Sequence, residues 1–529
     1  MPAPRRRFCD RDIMGSRTIA RNSGIGAIDI AIGTMSTLAL SVMVARALGP
    51  TKLGYYNYLM WVSQISLVFA NFGVPAAVGK YAAEYLGARD AGAAVAVIRA
   101  GYRYQFVTGV LVAVIGLAVT ALAVSPEHRI YTALIVLSIP FAMLLGTTTS
   151  MNVAMEDFSA NVIPSILSTL LNVVGVVLAI VFGWDINGIA TAYLASRVAD
   201  FSLRYWLGHR RFRAHLRQTC PDVPDGPVPL PGEIHSRFIR FCWQATVLLA
   251  LEIIVWNRSE VFFLRLFCDI RQVAFYTLTF GIVRSAVKLT EPLGSAMGAS
   301  LMVEQGRDPA RARRLAGHWV RLQTVLVMPI TFGLAVIATP LLSVVYGVRY
   351  LPAAPVLFVA ALLAATATLR NPAQRLIVAS DRQDFLLKWG VVTAGLTLTL
   401  DLVGVRYGCA LGAAYANGIS QVVATIGLWW FASTRLRAWV PRRALLLTVG
   451  SAAVAVTLAW SVSAWSSPLL RLASMVAIAA VLYPVFIRGL RVLEWEDRAR
   501  FESLAGALPE RFRSPFRSCV RLMVPGQVR

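Results

Sequence analysis

The chain has 529 residues, of which 57% are hydrophobic and 15% charged, and its mean hydropathy is +0.63. A soluble protein of this length carries far more surface charge, so the composition excludes a soluble enzyme and points to a polytopic membrane protein. The formal net charge of +24 would suit nucleic acid, but no basic segment is interleaved with aromatics as an RNA-binding face requires, so no nucleic acid is expected.

Apolar runs of about 20 residues read as membrane helices, because lipid is the solvent in which such a surface is stable. In chain order they cover Ile25 to Leu48, Tyr58 to Val78, Phe106 to Val124, Thr132 to Thr149, Val162 to Phe182 and Gly188 to Trp206. After a basic loop they resume at Phe241 to Phe263, Tyr276 to Leu301, Leu322 to Leu342, Val356 to Ile377, Gly390 to Val405 and Gly412 to Ala432. Ala444 to Trp465 and Leu469 to Phe486 complete the set. The fold class is thus an all-α polytopic membrane protein of about 14 transmembrane helices. The Arg-rich start, through Arg21, resembles a signal peptide only in charge, and the first span is expected to be retained.

The stretch Gln218 to Gly232, with five prolines from Pro221 to Pro231, reads as a linker. The expected organisation is a six-helix lobe over 1–208, a linker over 209–236, a second six-helix lobe over 237–432, two additional helices over 433–488 and a basic tail over 489–529. Lys and Arg concentrate in alternate loops, which places both termini in the cytoplasm of a multi-pass protein of the cell (inner) membrane. The loop around Glu156 and Asp157 is an acidic exception among the inner ones.

The two lobes repeat. Ala45 to Tyr56 reads A-R-A-L-G-P-T-K-L-G-Y-Y, and Leu264 to Tyr276 reads L-R-L-F-C-D-I-R-Q-V-A-F-Y. The offset of roughly 220 residues is about six helices with their loops, so the lobes share one orientation and form a parallel repeat. Glu84 to Asp90 and Glu304 to Asp308 match at the same offset, closing the second helix of each lobe.

Charges at mid-membrane depth cost from about 3 to over 10 kcal/mol each, so each needs a partner or a purpose. Arg284, Lys288 and Glu291 lie at i, i+4 and i+7 on one face of the eighth span. At the repeat offset stand Gln64, Val68 and Asn71, two of them polar. Both helices are therefore expected to turn this face to a shared wet cavity, the alternative being a self-neutralising Lys288–Glu291 pair. Glu252 is a candidate for proton coupling or a structural partner of Arg284 or Lys288, and Arg258 lies nearer the outer end. Arg197 and Asp200, three residues apart, are expected to pair. Asp29 and Asp401 lie near span ends, where hydration makes them unremarkable, and Arg46 is read as an anchor for its helix end.

Cys9, Cys220, Cys242, Cys268, Cys409 and Cys519 form no CxxC, and no His lies at ligand spacing. Neither a metal site nor a disulfide framework is indicated. No G-x-x-x-x-G-K-[ST] loop occurs, and no cofactor or catalytic residue is expected.

The opening motif, followed by N-F-G-V-P-A-A-V-G-K-Y-A-A-E-Y-L-G (Asn71 to Gly87), resembles the N-terminal lobe of polysaccharide-biosynthesis flippases. These belong to the multidrug/oligosaccharidyl-lipid/polysaccharide exporter superfamily. Asn257 to Phe267 with V-A-F-Y, Val345 to Leu357 and Gly408 to Ala416 are similar to further segments of the family. The likeness spans roughly residues 20 to 432 and departs at Cys268 to Ile270 and Ala274. It implies a flippase for a polyprenyl-diphosphate-linked glycan, working by alternating access among membrane lipids, with a polysaccharide polymerase and export components as partners. Arg284 and Lys288 would meet the diphosphate, with Arg258 and Arg197 as further candidates. A multidrug/cation antiporter of the same superfamily, which should favour an acidic cavity, and a non-transporting subunit of a polysaccharide assembly complex are the competing expectations.

Overall fold

The computed structural model describes residues 16–493 apart from 89, 156, 158, 220–231, 257–258 and 463–466, together with 514 and 518. The first lobe comprises α1 (Ser16–Asn71), α2 (Val74–Gly87), α3 (Ala91–Ala123), α4 (Pro126–Ala154), α5 (Ser159–Val181) and α6 (Asp185–Thr219). The second comprises α7 (Gly232–Trp256), α8 (Glu260–Phe267), α9 (Ile270–Lys288), α10 (Glu291–Arg307), α11 (Pro309–Val336), a single turn α12 (Ala338–Leu341), α13 (Ala354–Leu369), α14 (Asn371–Ala379) and α15 (Gln383–Thr434). Two helices, α16 (Arg442–Val462) and α17 (Pro468–Gly489), follow. The basic tail falls largely outside the described residues, as do 220–231 of the expected linker; its 209–219 continue α6 and its 232–236 begin α7.

Nine described stretches are long and apolar enough to cross a membrane. Two of these, α1 and α15, each break at one non-helical residue, Gly49 and Cys409, and supply two passes apiece. The more polar α6, α7–α8 and α9–α10 complete fourteen passes. These three carry most of the mid-span charge, which is why they fall short on apolarity.

The repeat is explained by local structure. In the first lobe the second pass breaks after Asn71 and restarts at Val74; in the second it breaks after Lys288 and restarts at Glu291. Each restarted helix carries Pro in its first turn, where no intrahelical N–H is lost. The matching Asp90 and Asp308 are N-caps: Asp90 accepts from the Ala93 amide at 2.9 Å, and Asp308 from those of Ala310 at 2.8 Å and Arg311 at 3.2 Å.

Lipid is as apolar as leucine, so close packing rather than water exclusion holds such a bundle together, and small residues mark the contacts. A Cβ on Gly412 would collide with the Gly404 carbonyl, closing the α15 hairpin, and one on Gly175 would meet Ala192. The end of the bundle holding Gly49, Ser125 and Cys409 has few cations and is termed the outer end; the opposite one is the inner end.

At the outer end the lobes meet in one apolar core that runs from Val44, Leu48 and Leu53 to Ile270, Tyr276, Leu342 and Tyr350. A Cβ on Gly54 would collide with the Ile270 carbonyl, and Asn57 Nδ2 donates to Thr277 Oγ1 at 2.8 Å. Arg46 does more than anchor its own helix: it donates to the carbonyls of Val345 at 2.8 Å and Val344 at 2.6 Å. The Tyr350 hydroxyl returns a bond to the Ala45 carbonyl at 2.7 Å.

At the inner end α7 packs against the first lobe, with Phe238 and Cys242 in one core with Val74, Tyr81 and Val97. Gly73, at φ 62°, lies so close to the Cys242 carbonyl that a Cβ would not fit. The acidic loop is paired: Arg211 Nη1 bonds Asp157 Oδ2 at 2.7 Å, and Asp157 accepts from Ser159 Oγ at 2.8 Å and from the Ala160 amide at 3.2 Å. Burial pushes the Asp157 carboxyl up, but these hydrogen bonds outweigh it and hold the group below its ordinary value.

The expectation of no disulfide is overturned. Cys268, between α8 and α9, is bonded to Cys409 in the α15 break, with Cα atoms 6.0 Å apart. Their separation of 141 residues leaves no spacing signal for a sequence reading to use.

Candidate functional site

Alpha-helical spacing places Arg284 and Lys288 on one face of α9, but the face does not run on unbroken to Glu291. The helix ends at Lys288, tight bonds from Leu289 to Ala286 and from Thr290 to Val287 turn the chain, and Glu291 opens α10. Thr290 holds this break in place by accepting from Gln323 Nε2 at 2.8 Å.

All three residues nonetheless line one cavity of about 250 Å³ inside the second lobe. Its other walls come from α13, the α13–α14 junction and the second half of α15. Ala360, Ala364, Ala367, Ala414 and Gly418 clear the space, because side chains this short leave room between helix axes. The junction adds Arg370 and Asn371, and α15 adds Asn417 and Gln421. Arg370 is held by its Nε–H to the Ala367 carbonyl at 3.2 Å. Three cations thus face one carboxylate among the described lining residues.

Behind the polar wall lies a buried relay. Gln421 Nε2 donates to Asn417 Oδ1 at 2.6 Å, and Asn417 Nδ2 donates to Glu260 Oε1 at 2.6 Å. Glu260 and Asp401 are both fully buried, and Ser259 Oγ donates to Asp401 Oδ2 at 2.6 Å. Asp401 is therefore no hydrated span-end residue, as its sequence position implied, because the α15 break brings the pass back over it.

The other candidates lie elsewhere. Gln64 is exposed and Asn71 half-buried, and neither lines the cavity; the Asn71 carbonyl accepts from Gln105 Nε2 at 2.8 Å. Arg197 stacks over the Tyr193 ring, 5.0 Å from its centroid, in the first lobe. Asp200 forms its ion pair with Arg204 at 2.7 Å instead of with Arg197. Arg258 lies outside the described residues, and of Glu252 only the backbone is described. Sequence reasoning missed Arg370, Asn417 and Gln421. The last two, four apart in a stretch of small residues, offered a signal; Arg370 did not, because it sits where a span meets a basic loop.

Comparison with known proteins places the fold. The chain is similar in fold to a lipid II flippase, MurJ, in an inward closed conformation: TM-score 0.69, 12% identity, covering 87% of this chain and 97% of that one. It is also similar to a multidrug resistance MATE family transporter of the MOP superfamily in an inward-facing conformation, with TM-score 0.63, 15% identity and coverage of 76% and 95%. A MOP superfamily transporter from Pyrococcus furiosus, described as having a binding pocket of reverse polarity, aligns with TM-score 0.51, 14% identity and coverage of 80% and 95%. No curated protein matches the sequence. A family model described as polysaccharide biosynthesis protein matches residues 43–355, more than half of the chain. The chain therefore belongs to the polysaccharide biosynthesis protein family.

Proposed function

We propose that this protein flips a polyprenyl-diphosphate-linked oligosaccharide from the cytoplasmic to the outer leaflet of the cell membrane, serving O-antigen, capsule or exopolysaccharide assembly. Its termini are cytoplasmic in this reading, and the outer end of the bundle faces away from the cytoplasm. The observation that carries it is the gathering of Arg284, Lys288 and Arg370 around one small cavity with one carboxylate among its described lining residues. A diphosphate concentrates negative charge, and carrying it across hydrocarbon is costly unless fixed cations replace its water. A cationic drug would need the opposite polarity.

The cavity volume suits a diphosphate rather than a whole glycan, so the lipid tail stays in the bilayer and the sugars extend away from the site. Rocking one lobe against the other then exposes the site to either leaflet. The membership of a polysaccharide family and the fold shared with a lipid II flippase support the same substrate class.

The test is translocation of a lipid-linked glycan in proteoliposomes. The double variant Arg284→Gln, Lys288→Gln should abolish it, and Arg370→Gln should slow it about tenfold, the effect of losing one charge-assisted bond. Undiminished flipping by the double variant, once its correct insertion is established, sinks the assignment.

A further inference from the structure

A second hollow, of about 490 Å³, opens at the outer end between the lobes. The first lobe contributes Tyr55 and Tyr58 from α1 and His128 and Tyr131 from α4; the second contributes Phe262 and Arg265 from α8. None of the three tyrosine hydroxyls has a hydrogen-bond partner among the described residues. An interfacial belt does not account for this cluster, since Tyr131 is only 2% exposed. Tyr131 is buried and Tyr55 and Tyr58 are half-buried, and three phenols without a partner among the described residues, gathered around one hollow, mark a place for a hydroxyl-rich ligand.

The charges narrow the ligand class. The Arg265 guanidinium lies 6.0 Å from the Tyr58 ring centroid and has no carboxylate partner among the described residues. The His128 ring sits 4.5 Å from that of Tyr55 and 5.6 Å from that of Tyr131. Glu127 comes within 3.6 Å of His128 Nε2 but does not line the hollow. Ring faces, phenol hydroxyls and a guanidinium together match the apolar face, hydroxyls and carboxylate of an acidic sugar.

We propose that this hollow is a saccharide subsite that takes an anionic sugar of the glycan as it leaves at the outer face. It rests on the glycan-flippase reading, and it supplies what the central cavity is too small to provide. Because its walls come from both lobes, opening of the outer end would part them and release the sugar.

The experiment uses the full-length protein in phosphatidylcholine nanodiscs, with saturation-transfer NMR as the readout. The probes are a glucuronic acid–glucose disaccharide and the neutral disaccharide cellobiose. The acidic sugar should bind about tenfold more tightly, and Arg265→Gln should erase that preference. Tyr58→Phe and Tyr131→Phe should weaken both sugars with the thermal midpoint unchanged, which separates lost contacts from misfolding. The double variant Arg284→Gln, Lys288→Gln should bind both sugars as the wild type does.

Equal binding of the acidic sugar by wild type and Arg265→Gln overturns the proposal, as does loss of binding in the central-cavity variant. Displacement of the sugar by phosphatidylglycerol nanodiscs, with no return of acidic preference, makes the hollow a lipid headgroup site and also overturns it. Sugar binding that survives while the wild type fails to translocate lipid-linked glycan upholds the subsite and removes the flippase reading instead.

Discussion

Asn57 and Thr277 occupy the same position in the two lobes, and they bond directly to each other at 2.8 Å across the seam. Their separation of 220 residues is the repeat offset itself. The second passes of the two lobes therefore cross at equivalent points, near the pseudo-twofold axis that relates them.

Removing this bond should loosen the outer end. A hydrogen bond is worth about 1 kcal/mol net, so Asn57→Ala should shift the balance toward an outward-open form about fivefold. The measurement is the rate at which a membrane-impermeant maleimide modifies a cysteine introduced by Val283→Cys in the cavity wall, and an unchanged rate counts against a seal at this point.

Gly73→Ala tests the inner contact. The residue is in a left-handed conformation, and a Cβ there would press on the Cys242 carbonyl. Strain of this kind costs about 1–3 kcal/mol, so the thermal midpoint of the purified protein should fall. A midpoint equal to the wild-type value would show that α2 and α7 do not pack this closely.

The Cys268–Cys409 disulfide closes a long loop, and loss of such a cross-link ordinarily costs about 2–4 kcal/mol. Cys268→Ser and Cys409→Ser should each lower resistance to denaturant by the same amount, since either removes the whole bridge. In intact cells, maleimide–polyethylene glycol should label these positions only after treatment with an impermeant reductant, provided that Cys9, Cys220 and Cys519 are first replaced. Labelling without reduction would place the pair in a reducing compartment or show it open.

The Asp157–Arg211 pair predicts an acid limit. The folded carboxyl sits below its ordinary value of 3.8, so its contribution to stability is complete above that pH. It is lost as pH falls through the lower folded value, when the carboxyl takes a proton. Asp157→Asn should lower stability near neutrality, where the contribution is complete, and flatten the stability–pH curve in that acid window. A wild-type curve with the same acid limb as the variant excludes this pair as its source.

Apolar length was enough to read the passes, because the bilayer imposes it on the sequence directly, and the repeat was legible in the matching stretches Ala45 to Tyr56 and Leu264 to Tyr276. Arg284, Lys288 and Glu291 were legible for the related reason that charge in a span is conspicuous. What hid the rest was chain distance: Asn417 reaches Glu260 across 157 residues, and Cys268 reaches Cys409 across 141. Asp200 was misassigned because helical partners stood on both sides, Arg197 at three residues and Arg204 at four, and spacing alone did not rank them. Gln64 and Asn71 were placed on the cavity by extending the repeat to lining side chains, whereas the repeat holds at helix breaks and caps.

Every described residue lining the cationic cavity belongs to the second lobe. In the flippase reading proposed above, a site built within one lobe travels with it as the lobes rock, so its affinity for the diphosphate would be the same whichever leaflet it faces. A ligand bound equally by two states shifts neither. On that reading the cavity by itself is a passive carrier, as ready to run backward as forward. The direction of net movement must come from a difference beyond its walls, such as consumption of the lipid-linked sugar on the far side of the membrane.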